Sequence, residues 1–258
     1  MRTPVQIIGV DCATDDTKVG IARGVLDGQD ARLDEVVVCG KERSAADHLA
    51  SWINTTDPVL LALDAPLGWP QPLGASLAGH RAGDELLVAP NDIFRRATDR
   101  FTQRTLGKTP LDVGADRIAR TAHAALHLLG ELRRRLDQPI PLAWSPQLSR
   151  GISAIEVYPA ATLDVWGIRS SRYKNPEQVA ERREIIAALR HQLVLPSDVT
   201  VLEQNADALD AAVCLLCAKD FLLGQTSPPA DVALAAVEGW IWTRTPAASR
   251  LARQRSTR

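Results

Sequence analysis

The chain has 258 residues, a hydrophobic fraction of 45% and a formal net charge of −1, which suits one large α/β domain or one domain with a sizeable insertion. Near-neutral charge excludes a chain-wide polycationic surface for nucleic acid or anionic membrane, and leaves room only for a local basic groove. No apolar run reaches the roughly 20 residues of a membrane span, and no basic segment followed by a long apolar stretch marks a signal peptide.

Residues 5–11 read as a buried strand that ends in Asp11. A polar turn, Ala13-Thr14-Asp15-Asp16-Thr17, leads to two further strands over residues 18–25 and 33–39. Their short links predict an antiparallel meander. Ser44 is placed to cap a helix running to Trp52. A second apolar strand, residues 59–64, ends in Asp64 and is followed at once by Ala65-Pro66-Leu67-Gly68. The helix between makes this strand parallel to an earlier one, through a right-handed crossover.

Residues 68–150 read as an insertion between two sheet strands. Prolines and glycines break its first part. It then becomes Arg-rich, with Phe94-Arg95-Arg96-Ala97-Thr98-Asp99-Arg100-Phe101, and closes with a long helix over 114–136 whose apolar positions include Ile118, Ala122, Leu126 and Leu129. Lys108 lacks the rest of a phosphate-loop motif and is given no nucleotide role. Residues 152–158 form another apolar strand, interrupted by Glu156 and closed by Pro159. Helices are expected over 176–193, 205–223 and 230–238. The domain expectation is therefore a single unit over 1–243, followed by an Arg-rich, frayed tail over 244–258.

An antiparallel meander joined to parallel strands is the ribonuclease H-like arrangement: an α/β fold with a mixed sheet flanked by helices, here with a helical Arg-rich insertion. Strands ending in lone carboxylates are informative, because an uncompensated buried charge costs several kcal/mol. Two carboxylates at one sheet edge require a bridging cation or a shared proton. Asp207 and Asp210 sit three residues apart in Asn205-Ala206-Asp207-Ala208-Leu209-Asp210, so they share a helical face, and the alanines around them permit close approach to the sheet. Asp11, Asp64, Asp207 and Asp210 are thus the candidate ligands of Mg²⁺ or Mn²⁺, which prefer oxygen donors. Glu156 is a further candidate catalytic acid, with a buried ion pair to an arginine of the insertion as its alternative. Asp207 has a first-turn or capping role as its alternative.

Gly9-Val10-Asp11, Leu63-Asp64-Ala65-Pro66-Leu67-Gly68, Glu156-Val157-Tyr158-Pro159-Ala160, Asp207-Ala208-Leu209-Asp210-Ala211 and Glu238-Gly239-Trp240-Ile241 together resemble the DUF 429 family, over roughly residues 5–242. That family is described as predicted nucleases with a ribonuclease H-like fold. By position, the resemblance implies Asp11, Asp64, Glu156 and Asp210 as the acidic positions of the site. Arg95, Arg96, Asp99 and Arg100, with Arg117 downstream, resemble the family's R-x-x-D stretch. Arginine forks bind phosphate bidentately, so Arg95, Arg96, Arg100 and Arg117 are expected to hold substrate phosphate. Their alternative is ion pairing to Glu156 or nearby acids.

The leading expectation is a metal-dependent nuclease whose partner is nucleic acid. One alternative is an actin- or sugar-kinase-like phosphotransferase, since Asp11-Cys12-Ala13-Thr14 followed by Lys18-Val19-Gly20 faintly resembles a phosphate hairpin. Another is a non-catalytic binding or scaffold protein of the same fold. Cys214 and Cys217 have CxxC spacing inside an apolar helix, with no second pair to complete a zinc site, so core packing is expected. Free thiols fit a cytoplasmic location. His123 and His127 lack an acid at metalloprotease spacing, and Trp240 and Trp242 are expected to pack against the sheet.

Overall fold

The first strand, β1 (Val5–Asp11), is buried from Ile7 through Asp11 in the computed structural model, which describes residues 3–54, 56–114 and 116–247. It pairs antiparallel with β2 (Gly20–Asp27), which pairs antiparallel with β3 (Asp30–Val38). The strand β2 begins two residues later than expected, because Asp16–Lys18 form a 3-10 turn capped by Asp15, whose Oδ1 accepts from Thr17 N at 3.0 Å. Helix α1 (Ala45–Trp52) opens on a capping box in which Ser44 and Asp47 satisfy each other's backbone N–H. It returns the chain to β4 (Pro58–Asp64), parallel to β1, and β5 (Gly151–Glu156) adds parallel to β4. The sheet order is β3-β2-β1-β4-β5. Two antiparallel pairings followed by two parallel ones make this the ribonuclease H-like fold.

Each strand presents alternate residues to the two faces, and both faces are covered. Ile8, Val10, Leu61 and Leu63 face a layer made by α1 and α5 (Asp116–Leu136), whose Leu129 and Leu132 are buried. Between β4 and that helix lie the short helices α2 (Gln71–Leu77), α3 (Pro90–Phe94) and α4 (Ala97–Leu106). The last helix of the inserted segment is therefore one wall of the core.

The other face packs on α6 (Pro159–Val165), α7 (Val179–Leu189), α8 (Thr200–Gln204) and, centrally, α9 (Ala206–Leu222). Helix α9 is apolar over most of its circumference and buried along nearly its whole length, as suits a helix enclosed by its neighbours. Cys214 and Cys217 lie within it as free, buried thiols. After α10 (Val232–Glu238), Ile241 bridges Glu156 in parallel and extends the sheet edge. Trp240 packs on Phe101 and Trp242 on Phe221, with ring centroids 5.1 and 4.7 Å apart. Arg244 pairs with Asp220 at 2.6 Å and stacks over Trp166. The tail beyond residue 247 lies outside the described residues. Among the described residues, no helix is long and apolar enough to cross a membrane.

Candidate metal centre

Sheet parity builds the site. Ile7 and Leu60 belong to the α9 face, so Asp11 and Asp64, an even number of residues further along, point to the same face. The parallel register pairs Asp11 directly with Asp64. Helix α9 can reach them because the sheet beneath it is glycine where the two meet. A Cβ on Gly9 would stand 2.1 Å from Ala211 O, and one on Gly20 would stand 2.1 Å from Asp207 O. Asn205 caps α9, its Oδ1 accepting from Asp207 N at 2.8 Å and Ala208 N at 3.0 Å. That leaves Asp207 in the first turn and sets Asp210 one turn further in, fully buried.

Asp11, Asp64 and Asp210 come together, each offering a carboxylate oxygen within 4.8 Å of the others. Asp207 is not in this group and is less buried than Asp210. Burial and the neighbouring Asp210 and Asp64 charges hold the Asp11 carboxyl well above the usual range. Burial and Asp210 push Asp64 up to about 7. Burial likewise raises Asp207. Carboxylates this close repel one another unless a cation lies among them or a proton is shared.

Two further members, unmarked by any motif or periodicity, come from the loop between α6 and α7. Tyr173 Oη donates to Asp210 Oδ1 at 2.6 Å, and Lys174 Nζ lies 2.5 Å from Asp210 Oδ2. The Lys174 contact is an ion pair without hydrogen-bond alignment, so buried Oδ2 lacks a directed partner. Burial opposes the Lys174 charge, but Asp210, Asp11 and Asp64 outweigh it and raise its pKa. The donor set suits a hard divalent ion: three carboxylates, all oxygen, one atom undirected, beside a pocket of about 270 Å³ lined by Tyr158, Leu111 and Ile118.

Glu156 lies in the same pocket wall but serves another structure. The register sets it beside Leu63, on the opposite pleat from Asp64. Its Oε1 accepts from Arg96 Nη2 at 2.7 Å, and its Oε2 accepts from Arg96 Nη1 at 2.8 Å and Leu67 N at 2.9 Å. Arg96 also donates Nε and Nη2 to Asp99 and Nη1 to Glu238 O. Every N–H of this buried guanidinium is thus directed to an acceptor within the protein. Arg96 and Glu156 therefore form a buried ion pair between the inserted segment and β5.

Glu238 completes this knot, accepting from Gln71 N at 2.8 Å and Ala97 N at 2.7 Å at the starts of α2 and α4. Gly239, at φ +83°, closes it, since a Cβ there would stand 2.8 Å from Glu156 Oε2. The motifs around Gly68, Arg96, Glu156 and Glu238 therefore meet in one buried polar latch that ties the inserted segment to the sheet edge.

The other arginines are more open. Arg95 pairs with Asp112 at 2.9 Å, and Arg100 with Asp92 at 3.3 Å and with the carbonyls of Asn91 and Arg95. Arg117 is exposed. Arg95 and Arg117 share a second concavity with Thr109, Asp112 and Asp116, which adjoins the acidic pocket through Pro110, Leu111 and Ile118.

No curated protein matches the sequence. Among solved structures, the chain is similar to T. thermophilus RuvC in complex with Holliday junction substrate, at 14% identity and a TM-score of 0.37, over 87% of this chain and 99% of that one. A likeness this distant carries no argument about activity. The family model described as "Protein of unknown function (DUF429)" matches residues 9–234. The chain belongs to the DUF429 family.

Proposed function

We propose that the protein is a divalent-metal-dependent phosphodiesterase that hydrolyses nucleic acid in the cytoplasm, with Asp11, Asp64 and Asp210 holding Mg²⁺ or Mn²⁺. The observation that carries this reading is the convergence of three carboxylate oxygens within 4.8 Å of one another beside an open pocket. A divalent ion bound there supplies Lewis-acid polarisation of a phosphoryl oxygen and an acidified water. The chain's own residues do the rest. Tyr173 fixes the Asp210 carboxylate. Asp207, half-buried in the first turn of α9, serves as an accessory acid one turn before Asp210. Leu111, Ile118 and Tyr158 line the pocket beside the three acids and give an incoming nucleotide apolar surface to lie on. Arg95 and Arg117, along the adjoining concavity, offer charge to the next phosphate of a strand, with Arg100 behind them. Glu156 and Arg96 act at a distance by holding the inserted segment in place.

The test is a screen of single- and double-stranded DNA, RNA and hybrids with Mg²⁺ and Mn²⁺. Activity that disappears with chelator and with Asp11→Asn supports the reading. Chelator-resistant cleavage, or cleavage unchanged in Asp11→Asn, contradicts it. ATP-dependent phosphoryl transfer to a small molecule would favour a kinase-like protein instead, although the described residues form one five-stranded sheet and no second nucleotide-binding lobe.

A further inference from the structure

Lys174 carries a charge that the reading above leaves unused. Its side chain is 57% exposed, while the Asp210 carboxylate it meets is fully buried. The ammonium therefore enters the acidic cleft from the solvent side. The backbone that carries it is held firmly from behind. Arg182, itself buried, has no carboxylate partner among the described residues and instead donates to the carbonyls of Tyr173 at 2.6 Å, Asn175 at 2.8 Å, Pro176 at 2.9 Å and Glu203 at 2.6 Å. The Tyr173 hydroxyl bonds Asp210 directly. The segment from Tyr173 to Pro176 is thus fixed against α9, and the Lys174 side chain is the part able to leave. Among the described residues, Lys174 makes the one ion pair to Asp11, Asp64 or Asp210.

We propose that Lys174 is the resident counter-ion of the metal centre: it occupies Asp210 Oδ2 while no divalent ion is bound, gives that oxygen up when one binds, and so sets the affinity of the site. The inference rests on the proposed metal-binding role of the three aspartates. Two positive charges cannot share one buried carboxylate oxygen at close range without strong repulsion, so ion and ammonium exclude each other there. The displaced ammonium stays tethered at the pocket it lines, where an anionic substrate meets it. Lys174 is a positioning residue in this account, and Arg182 sets the reach of its side chain.

Calorimetric titration of Mn²⁺ into the full chain tests this without any substrate. Lys174→Met keeps the stem and removes the charge. We expect it to bind Mn²⁺ about tenfold more tightly than the wild type, to melt lower without metal and to gain more from metal. A lower melting temperature with unchanged Mn²⁺ affinity would make Lys174 a merely structural ion pair and overturn the proposal; weaker Mn²⁺ binding overturns it too. If neither the wild type nor Lys174→Met binds Mn²⁺, the metal centre itself is wrong and the proposal falls with it. A second measurement needs no variant. Wild-type protein is acylated with a lysine-selective ester, with and without saturating Mg²⁺, and Lys174 is followed by peptide mass spectrometry. Several-fold faster modification with Mg²⁺ is expected, and unchanged or slower modification contradicts displacement.

Discussion

Asp11 and Asp64 are register partners on adjacent parallel strands, and both side chains face α9. The helix answers with Asp210, one turn from its capped start. Three acids are thereby concentrated at the ends of two interior strands and on the buried helix across them, regular elements of the kind on which a preorganised site is best held.

Removing one acid separates function from stability. Asp11→Asn should lose metal-dependent activity by about 100-fold or more, since a ligand contributes at least as much as the groups behind it. The same change relieves repulsion and desolvation in the metal-free protein. Its melting temperature without metal should therefore rise by a few degrees. Differential scanning calorimetry with and without chelator reads both parts, and a clear drop in metal-free stability would count against the account.

The glycine seat of α9 makes a second prediction. Gly9→Ala drives a methyl group into Ala211 O, so the helix must lift from the sheet. Overpacking of this kind costs about 1–3 kcal/mol. Because the displaced helix carries Asp210, Mn²⁺ affinity should fall together with stability. Gly40→Ala, at a position with open space around it, is the control and should change neither.

Arg96 and Arg117 should behave oppositely. Arg96→Met leaves Glu156 and Asp99 buried without their partner, a loss of about 3–5 kcal/mol. Thermal denaturation should fall by about 10 °C in a chain of this size. Arg117→Ala should leave the melting temperature within about 1 °C, weaken nucleic-acid binding and reduce its salt slope by about one. A stable Arg96→Met variant would mean that the latch is not what ties the inserted segment down.

The pH dependence follows from the raised carboxyls. Asp64 is pushed up to about 7 and Asp11 is raised well above its ordinary value. An acid with a raised folded pKa holds more protons in the folded state than in the unfolded one. Metal-free stability should therefore fall as pH climbs from about 4 through 7. Protons and a divalent ion compete for the same oxygens, so Mn²⁺ affinity should climb over the same interval. Calorimetric titration at pH 5.5, 7 and 8 checks the sign; affinity independent of pH would show that these carboxyls are not the ligands.

Much of this was legible in the chain. The short links of the meander and the helical crossover led to the mixed sheet, the two strand-terminal aspartates to Asp11 and Asp64, and the three-residue spacing to the face of α9 that carries Asp210. For Glu156 the chain left a catalytic acid and a buried ion pair both open, because its side is set by its register against Leu63, a long-range property that the strand's own pattern does not encode. Tyr173 and Lys174 were missed for a related reason. They lie in an aperiodic loop, and what places them is Arg182, whose partners are backbone carbonyls that leave no mark in the sequence. The alanines of α9 signalled its close approach to the sheet, whereas the need for Gly9 and Gly20 beneath it follows only from where the helix lies.

The most direct test is a crystal of the wild-type protein soaked in Mn²⁺ and examined by anomalous scattering. The account predicts a peak bonded to oxygens of Asp11, Asp64 and Asp210, with Lys174 Nζ withdrawn from Asp210. A well-ordered site with no peak at saturating Mn²⁺, or a peak bound only at Asp207 or elsewhere on the surface, would contradict it.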